Sequence, residues 1–141
     1  METQNKEITV MATLDNLDMV VGFVEESLNT VGCPMKTCMQ IIMCVEEIYV
    51  NVASYAYGAQ EGNCTIRFEA EYSDSSGSTV ITIVDSGSEF DPLQKKDPDI
   101  TLSADEREIG GLGIFMVKKS MDNIKYSYEN ENNILRLEKS W

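Results

Sequence analysis

The chain has 141 residues, of which 43% are hydrophobic, and its formal net charge is −13. This length fits one domain with a core of its own, whereas the negative charge argues against direct binding to nucleic acid or to anionic lipid. Because the sequence contains no histidine, imidazole is excluded as a base, a metal ligand and a phosphorylation site, and acid–base chemistry must come from carboxylates.

The first half of the chain is predicted to form one strand and two helices. The stretch from Lys6 to Met11 alternates as a strand does. A helix capped by Thr13 or Asp15 follows, with apolar residues at helical spacing as far as about Val31. A second amphipathic helix begins near Pro34 and extends to about Ala56.

The second half is predicted to form two hairpins, separated by a long polar stretch and a helix. The predicted elements are strands from Asn63 to Tyr72 and from Thr79 to Val84, a polar stretch from Phe90 to Ile109, a helix from Gly111 to about Met121, and strands from Ile124 to Tyr128 and from Ile134 to Glu138 around a turn from Glu129 to Asn133. Paired hairpins with separate helices predict an α+β fold, a two-layer α/β sandwich whose mostly antiparallel sheet is covered on one face by helices.

Nothing along the chain indicates a second domain or a membrane anchor. The sequence shows no repeat and no internal linker, so we expect residues 1–141 to form a single domain. No apolar run approaches the roughly 20 residues of a membrane span. The polar N-terminus does not read as a signal peptide, and we therefore expect a cytoplasmic protein.

The second predicted helix carries a carboxylate and an amide on one side. Glu47 and Asn51 are four residues apart and project from the same side, whereas Glu46 lies about 100° round the helix. A carboxylate beside an amide suits a hydroxyl or a water together with a magnesium ion, which takes oxygen ligands. An ordinary solvated helix face fits the pair equally well.

A single acid ends the apolar strand from Val80 to Val84. A buried carboxylate at Asp85 is costly unless it is paired. An adenine amino group is a suitable donor, and Gly87 would let the base approach the backbone. The alternative is an Asp-x-Gly turn without a ligand, which is common at strand ends.

A glycine-rich segment, Gly110-Gly111-Leu112-Gly113, precedes an amphipathic helix. Bare backbone N–H groups at a helix N-terminus bind phosphate with help from the helix dipole. The segment is not a P-loop, because Gly-Lys-Ser/Thr is missing. It is not a dinucleotide-binding fingerprint either, because Met116 occupies the position of the last glycine. A glycine loop that permits close packing is the alternative.

In their order and spacing, the three segments resemble the N, G1 and G2 boxes of the GHKL (Bergerat-fold) ATPases. Glu47-x-x-x-Asn51 matches the N box, Asp85-x-Gly87 the G1 box and Gly111-x-Gly113 the G2 box. The match spans most of the chain. Within that superfamily, the chain is similar in its short length to the bacterial anti-sigma-factor serine/threonine kinases of the RsbW type.

The resemblance implies a role for each matched residue. Glu47 would take a proton from an acceptor serine, Asn51 would ligate magnesium, and Asp85 would accept a hydrogen bond from the adenine amino group. The segment Gly111-Leu112-Gly113 would offer backbone amides to the phosphates of ATP, and the stretch from Phe90 to Ile109 would be the lid. The implied partners are a STAS-domain anti-anti-sigma protein, a sigma factor and a second copy of the chain in a homodimer.

The chain also departs from the family pattern. Kinase-active relatives carry an arginine close before the G2 glycines, where this chain has Ile109, with Arg107 two residues earlier. Arg107 is therefore the candidate to contact the terminal phosphate. If it does not, the chain would be a switch protein that binds nucleotide and a partner but transfers phosphate poorly or not at all. An isolated ATPase domain of the histidine-kinase type is a further alternative.

Two smaller departures concern the neighbourhood of the boxes. Relatives often carry a histidine after the N-box helix, where this chain has Tyr55-Ala56-Tyr57. Relatives tend to place a threonine near the end of the domain, where this chain has Asn132, Asn133 and Ile134.

Overall fold

A computed structural model describes residues 1–94 and 111–141, which form a five-stranded sheet and a layer of helices. The strands are β1 (Glu2–Met11), β2 (Asn63–Tyr72), β3 (Gly77–Asp85), β4 (Asn123–Glu129) and β5 (Asn132–Ser140), and the α-helices are α1 (Leu17–Thr30), α2 (Met35–Asn51) and α3 (Gly111–Ser120). Neighbouring strands in the order β1-β2-β3-β5-β4 all pair antiparallel. The predicted α+β class is confirmed.

The core lies between one face of the sheet and the helices. Alternate residues of the central strands point into it and are buried: Ile66, Phe68, Ile81, Ile83, Leu135 and Leu137. Helix α2 covers them with a buried stripe at spacings of three and four that includes Ile41, Val45 and Ile48. The opposite face of the sheet is more polar and carries the ion pair between Arg67 and Glu7, at 2.7 Å from Nε to Oε1.

Helix α2 is the central helix of its layer, in contact with α1 on one side and α3 on the other. Its buried Tyr49 anchors it to the segment after β1, because the phenol donates to the Thr13 carbonyl at 2.7 Å and accepts from the Thr13 N–H at 3.1 Å. No helix in the described ranges is long and apolar enough to cross a membrane.

The first predicted helix begins later than expected, and its predicted caps are wrong. A 3₁₀ turn over Leu14–Asn16 precedes α1, and neither Thr13 nor Asp15 makes a capping bond with its side chain. Asn16 instead donates from its side chain to the Met11 carbonyl at 2.8 Å, which holds the turn against the end of β1. The competing 3₁₀ turn explains the difference, since it uses the residues that would have capped a longer helix.

The second predicted helix changes its geometry before it ends. The α-helix stops at Asn51, and a π-helix continues over Val52–Ala56. Single π turns within helices are found frequently at functional sites. Because the π-helix follows Asn51 directly, it sets the direction of the chain after the N box.

The turn of the last hairpin is shorter than predicted. Only Asn130 and Glu131 form it, both with positive φ angles, of 52° and 63°. A two-residue turn with two positive φ angles matches the twist of the flanking strands. Asn132 and Asn133 therefore belong to β5 and not to the turn, and Asn133 pairs with Asp85 of β3.

Candidate functional site

The N box and the G2 box meet at a direct contact. A Cβ atom placed on Gly113 would overlap the carboxyl group of Glu47, so this carboxyl group lies against the bare backbone near the start of α3. Glu47 is half-buried, whereas its neighbour Glu46 is exposed. The helical spacing therefore identified which of the two acids points toward the glycine-rich segment.

The carboxylate of Glu47 faces an open cavity of about 300 Å³ between α2 and α3. The lining residues are Met43, Cys44, Glu47, Gly113, Met116 and Val117. Neither Glu47 nor Asn51 makes a side-chain hydrogen bond or ion pair with any residue in the described part of the chain. Glu47 is thus available to a ligand that enters from this side, whereas Asn51 is half-buried and does not line the cavity.

The G1 acid lies at the end of β3 and is buried. One carboxylate oxygen of Asp85, Oδ1, accepts from the Gly87 N–H at 2.9 Å and from the Asn133 side-chain amide at 2.9 Å. The other oxygen, Oδ2, has no hydrogen-bond partner among residues 1–94 and 111–141. Because no buried side-chain oxygen in those ranges lacks a partner, Oδ2 keeps access to the outside of the protein.

The π-helix brings the end of the N-box helix against the G1 loop. Ala56 accepts a backbone hydrogen bond from Ser88 at 3.0 Å. A Cβ atom on Gly87 would overlap the Ala56 carbonyl, so a glycine is required here by close approach. The extension of α2 and the turn after β3 are therefore in contact, which brings the N and G1 boxes together.

Tyr57, near the position where relatives carry a histidine, braces the same loop. Its phenol accepts from the Ser86 N–H at 2.7 Å and donates to the Asn63 carbonyl at 2.5 Å. Burial raises the pKa of Tyr57 above its ordinary value, so the phenol stays neutral and keeps its proton for that donation. Its contacts give Tyr57 a structural role beside the G1 box.

Asn133 is the residue at this site that sequence reasoning did not identify. Its side-chain amide donates to Asp85 Oδ1 and to the Ser88 carbonyl, both at 2.9 Å. Its side-chain oxygen accepts from the Phe90 N–H at 3.0 Å and from the Tyr126 phenol at 2.5 Å. The one signal in the sequence was its place near the end of the domain, where relatives tend to carry a threonine.

The remaining predicted site residues are only partly covered by the structure. Helix α3 begins at Gly111, so the backbone of Gly111 and Leu112 is helical as predicted. Arg107 lies outside the described residues, as does most of the predicted lid from Phe90 to Ile109. Phe90 itself is 61% exposed, so its ring is accessible at the edge of the Asp85 loop.

Comparisons with known proteins agree with the fold. A model of the histidine kinase-like ATPase domain matches residues 10–139. Among solved structures, the chain is similar to the RsbU and RsbW domains of a Mycobacterium tuberculosis protein, with 15% identity and a TM-score of 0.64 over 98% of this chain. The match covers 33% of that chain, so this protein spans about a third of its length. At this identity, the similarity shows a common fold and no more.

A weaker similarity is to the histidine kinase domain of a blue-light activated histidine kinase from Erythrobacter litoralis. It has 12% identity and a TM-score of 0.49, over 87% of this chain and 60% of that chain. No curated protein sequence matches the chain.

Proposed function

The chain belongs to the histidine kinase-like ATPase family, and we propose that it is an ATP-binding anti-sigma regulatory factor that acts as a serine kinase on a STAS-domain anti-anti-sigma protein. The observation that carries this proposal is the contact between the Glu47 carboxyl group and Gly113. It joins a candidate base to the segment that would bind the phosphates.

The fit of ATP rests on two kinds of feature in the described residues. Oδ2 of Asp85 is an unpaired acceptor with access to the outside, which suits the amino group of adenine. The glycine-rich segment forms the first turn of α3, which begins at Gly111, and backbone N–H groups at a helix start suit phosphate. Together these features would hold the base at the end of β3 and the phosphates at the start of α3.

Asn51 and Glu47 fit a magnesium ion between the protein and the phosphates. Mg²⁺ takes oxygen ligands, keeps several waters, and binds nucleotide sites through one or two protein groups and the phosphates. The amide oxygen of Asn51 would ligate it, with Glu47 nearby on the same side of α2. When bound, the ion neutralises phosphate charge, which matters in a site whose described acids, Glu47 and Asp85, are both negative.

The role of Glu47 in the proposed reaction is that of a general base. Its carboxylate takes the proton of the acceptor serine while the serine oxygen forms a bond to the terminal phosphorus of ATP. The bond from that phosphorus to the bridging oxygen breaks, and ADP leaves with the electron pair. Glu47 suits this role because its carboxylate is half-buried and makes no ion pair with any described residue.

The proposed partners follow from the family type. The acceptor is a serine on a STAS-domain protein, the regulated partner is a sigma factor, and the chain forms a cytoplasmic homodimer of single-domain protomers. The fold shared with an RsbW domain supports this type.

The alternative proposal is a partner-switching protein that binds nucleotide without transferring phosphate. Ile109 stands where kinase-active relatives carry an arginine, and this departure favours the switch. An isolated histidine-kinase-like ATPase domain is less well supported, because this chain has no histidine to modify on itself.

The test combines a binding measurement with a transfer measurement. Calorimetry with magnesium and ATP or ADP should show binding to the purified chain. Incubation with γ-labelled ATP and a candidate STAS protein should then label a serine on that protein, and a serine-to-alanine variant of the acceptor serves as the control. Nucleotide binding without labelling of any STAS partner would favour the switch, and absence of nucleotide binding would overturn both proposals.

A further inference from the structure

We propose that Asn133 is a positioning residue that selects adenine by holding the carboxylate of Asp85 in one orientation. This inference rests on the proposed nucleotide function and adds the means by which the base is recognised. Asn133 would not touch the base itself, because its side chain is fully engaged within the protein.

The side chain of Asn133 uses its hydrogen-bonding capacity internally. An amide has two N–H donors and one oxygen with two lone pairs. The donors bond to Asp85 Oδ1 and to the Ser88 carbonyl, and the oxygen accepts from the Phe90 N–H and from the Tyr126 phenol. Asn133 and Asp85 are similarly buried, at 7% and 6% exposed, but only Asp85 keeps an oxygen without a hydrogen-bond partner among the described residues. A ligand at the site therefore meets Asp85 and not the amide.

These bonds hold the Asp85 carboxylate in an orientation in which one of its two equivalent oxygens faces outward. The torsion of an aspartate carboxylate is broad and weakly restricted by itself, so donors must fix it. The Gly87 N–H and the Asn133 amide both bond to Oδ1 at 2.9 Å, and the carboxylate is thus held with Oδ2 unpaired. An unpaired acceptor matches the amino group of adenine, whereas a carbonyl oxygen at the same position of a purine would place acceptor against acceptor.

The sheet register is what makes this arrangement possible. Asn133 of β5 lies directly opposite Asp85 of β3, so both side chains project from the same face of the sheet. The pairing of β3 with β5 sets this register, whereas the two-residue turn at Asn130 and Glu131 sets the register of β4 against β5, which brings the Tyr126 phenol to Asn133. A shift of one residue would turn the amide to the other face and leave Oδ1 with one donor fewer.

The experiment compares the affinities of ATP and inosine triphosphate (ITP), which carries a carbonyl where adenine has its amino group. Calorimetry with magnesium should show that the wild-type chain binds ATP roughly ten- to a hundredfold more tightly than ITP, the expected effect of a mispaired buried acceptor. Asn133→Ala should bring this ratio close to one. Asn132→Ala is the matched control, because it removes the 2.6 Å bond that the Ser86 hydroxyl of the same loop donates to the Asn132 side-chain oxygen, without touching Asp85, and it should keep the wild-type ratio.

A second variant keeps the test decisive if Asn133→Ala unfolds. Asn133→Asp has nearly the same shape but places a carboxylate against Asp85. The ATP-to-ITP ratio should be lost, because position 133 then offers Oδ1 an acceptor in place of a donor.

Three results would overturn the inference. If both Asn133 variants keep the wild-type ratio, Asn133 does not orient Asp85, although the proposed ATP-binding function stands. If Asn133→Ala weakens ATP and ITP equally, the residue only supports the fold of the loop. If the wild-type chain binds neither nucleotide, the inference and the proposed function fail together.

Discussion

The carboxyl group of Glu47 occupies the space into which Gly113 would project a Cβ atom. The backbone of Gly113 does not have a positive φ, so what favours glycine here is the close approach of Glu47 and not conformation. A side chain at position 113 would therefore displace the candidate base of the N box.

The first prediction follows from that contact. Gly113→Ala should force the Glu47 carboxyl group away, and because this group is the far end of a flexible side chain that faces an open cavity, the free energy of unfolding should change by no more than about 1 kcal/mol. Phosphoryl transfer should fall, because the base moves. Denaturant unfolding and a transfer assay measure the two effects.

Gly22→Ala is the control for Gly113→Ala. Gly22 lies within α1, and a Cβ atom there meets nothing within 4 Å. Alanine is the better helix former, so this change should stabilise the chain by up to about 1 kcal/mol. A Gly113→Ala variant with wild-type transfer would contradict the importance of the contact.

Glu47 and Glu46 provide the second prediction. Glu47→Gln should lower the rate of phosphoryl transfer about 10²–10⁴-fold, because a general base is lost. Nucleotide affinity, measured by calorimetry, should change little. Glu46→Gln removes the same charge from the exposed neighbour and should leave the rate intact. If Glu46→Gln lowers the rate and Glu47→Gln does not, Glu46 is the base.

The part of the site that could be predicted from the sequence is the part that depends on local spacing. Four-residue spacing places Glu47 and Asn51 on one side of a helix. An apolar strand that ends in Asp85, and glycines ahead of a helix, are likewise local patterns. The fold class followed for the same reason, since hairpins and helices each have a characteristic periodicity.

The part that could not be predicted depends on contacts between distant segments. The hydrogen bonds of Asn133 join its side chain to β3, to the loop after β3 and to β4. The bond from Tyr126 also requires the exact length of the last turn, and the sequence indicated a longer turn than the two residues, Asn130 and Glu131, that form it. Positive φ at a glutamate is uncommon, so no local signal marked Glu131. The π turn after Asn51 was also missed, because its wider hydrogen-bonding pattern leaves no distinct periodicity in so short a segment.

The third prediction concerns Asp85. Asp85→Asn should weaken ATP binding about ten- to a hundredfold, because one of the two oxygens becomes a donor where every neighbour is also a donor. Calorimetry measures the affinity. Asp122→Asn is the control, since Asp122 accepts a comparable bond from the Ser140 N–H at 2.8 Å and lies outside the three boxes and the predicted lid. Equal affinities in wild type and Asp85→Asn would remove the adenine assignment.

The fourth prediction separates the kinase from the switch. If Arg107 stabilises the charge of the phosphoryl group in transfer, Arg107→Ala should lower labelling of the STAS protein by about 10³–10⁵-fold. ADP affinity should hardly change. If Ile109 has instead replaced the required arginine, the wild-type chain should show only trace labelling, and Arg107→Ala should have no effect. Ile109→Arg should then increase labelling. If it does not, the isoleucine at position 109 does not explain why the chain transfers phosphate poorly.

The fifth prediction concerns how a protein acceptor reaches Glu47. Met43 and Met116 line the open cavity that contains this carboxylate and are 49% and 44% exposed. A protein that brings a serine to Glu47 must cover these side chains. Met43→Glu would bury an unpaired charge in that contact, and the KM for the STAS acceptor, measured at saturating ATP, should rise about tenfold or more. ATP affinity is measured separately, because the phosphates would lie at the same cavity.

Met35→Glu is the matched control for Met43→Glu. Met35 is 79% exposed and lies at the start of the same helix, about 12 Å along its axis from Met43. A nonspecific effect of added negative charge would act on both variants alike, whereas a contact at the mouth of the cavity affects only Met43→Glu. If the chain is a switch, the affinity for the STAS protein replaces KM as the measurement. Equal effects of the two substitutions would mean that the acceptor approaches Glu47 from elsewhere, so that the cavity between α2 and α3 serves the nucleotide alone.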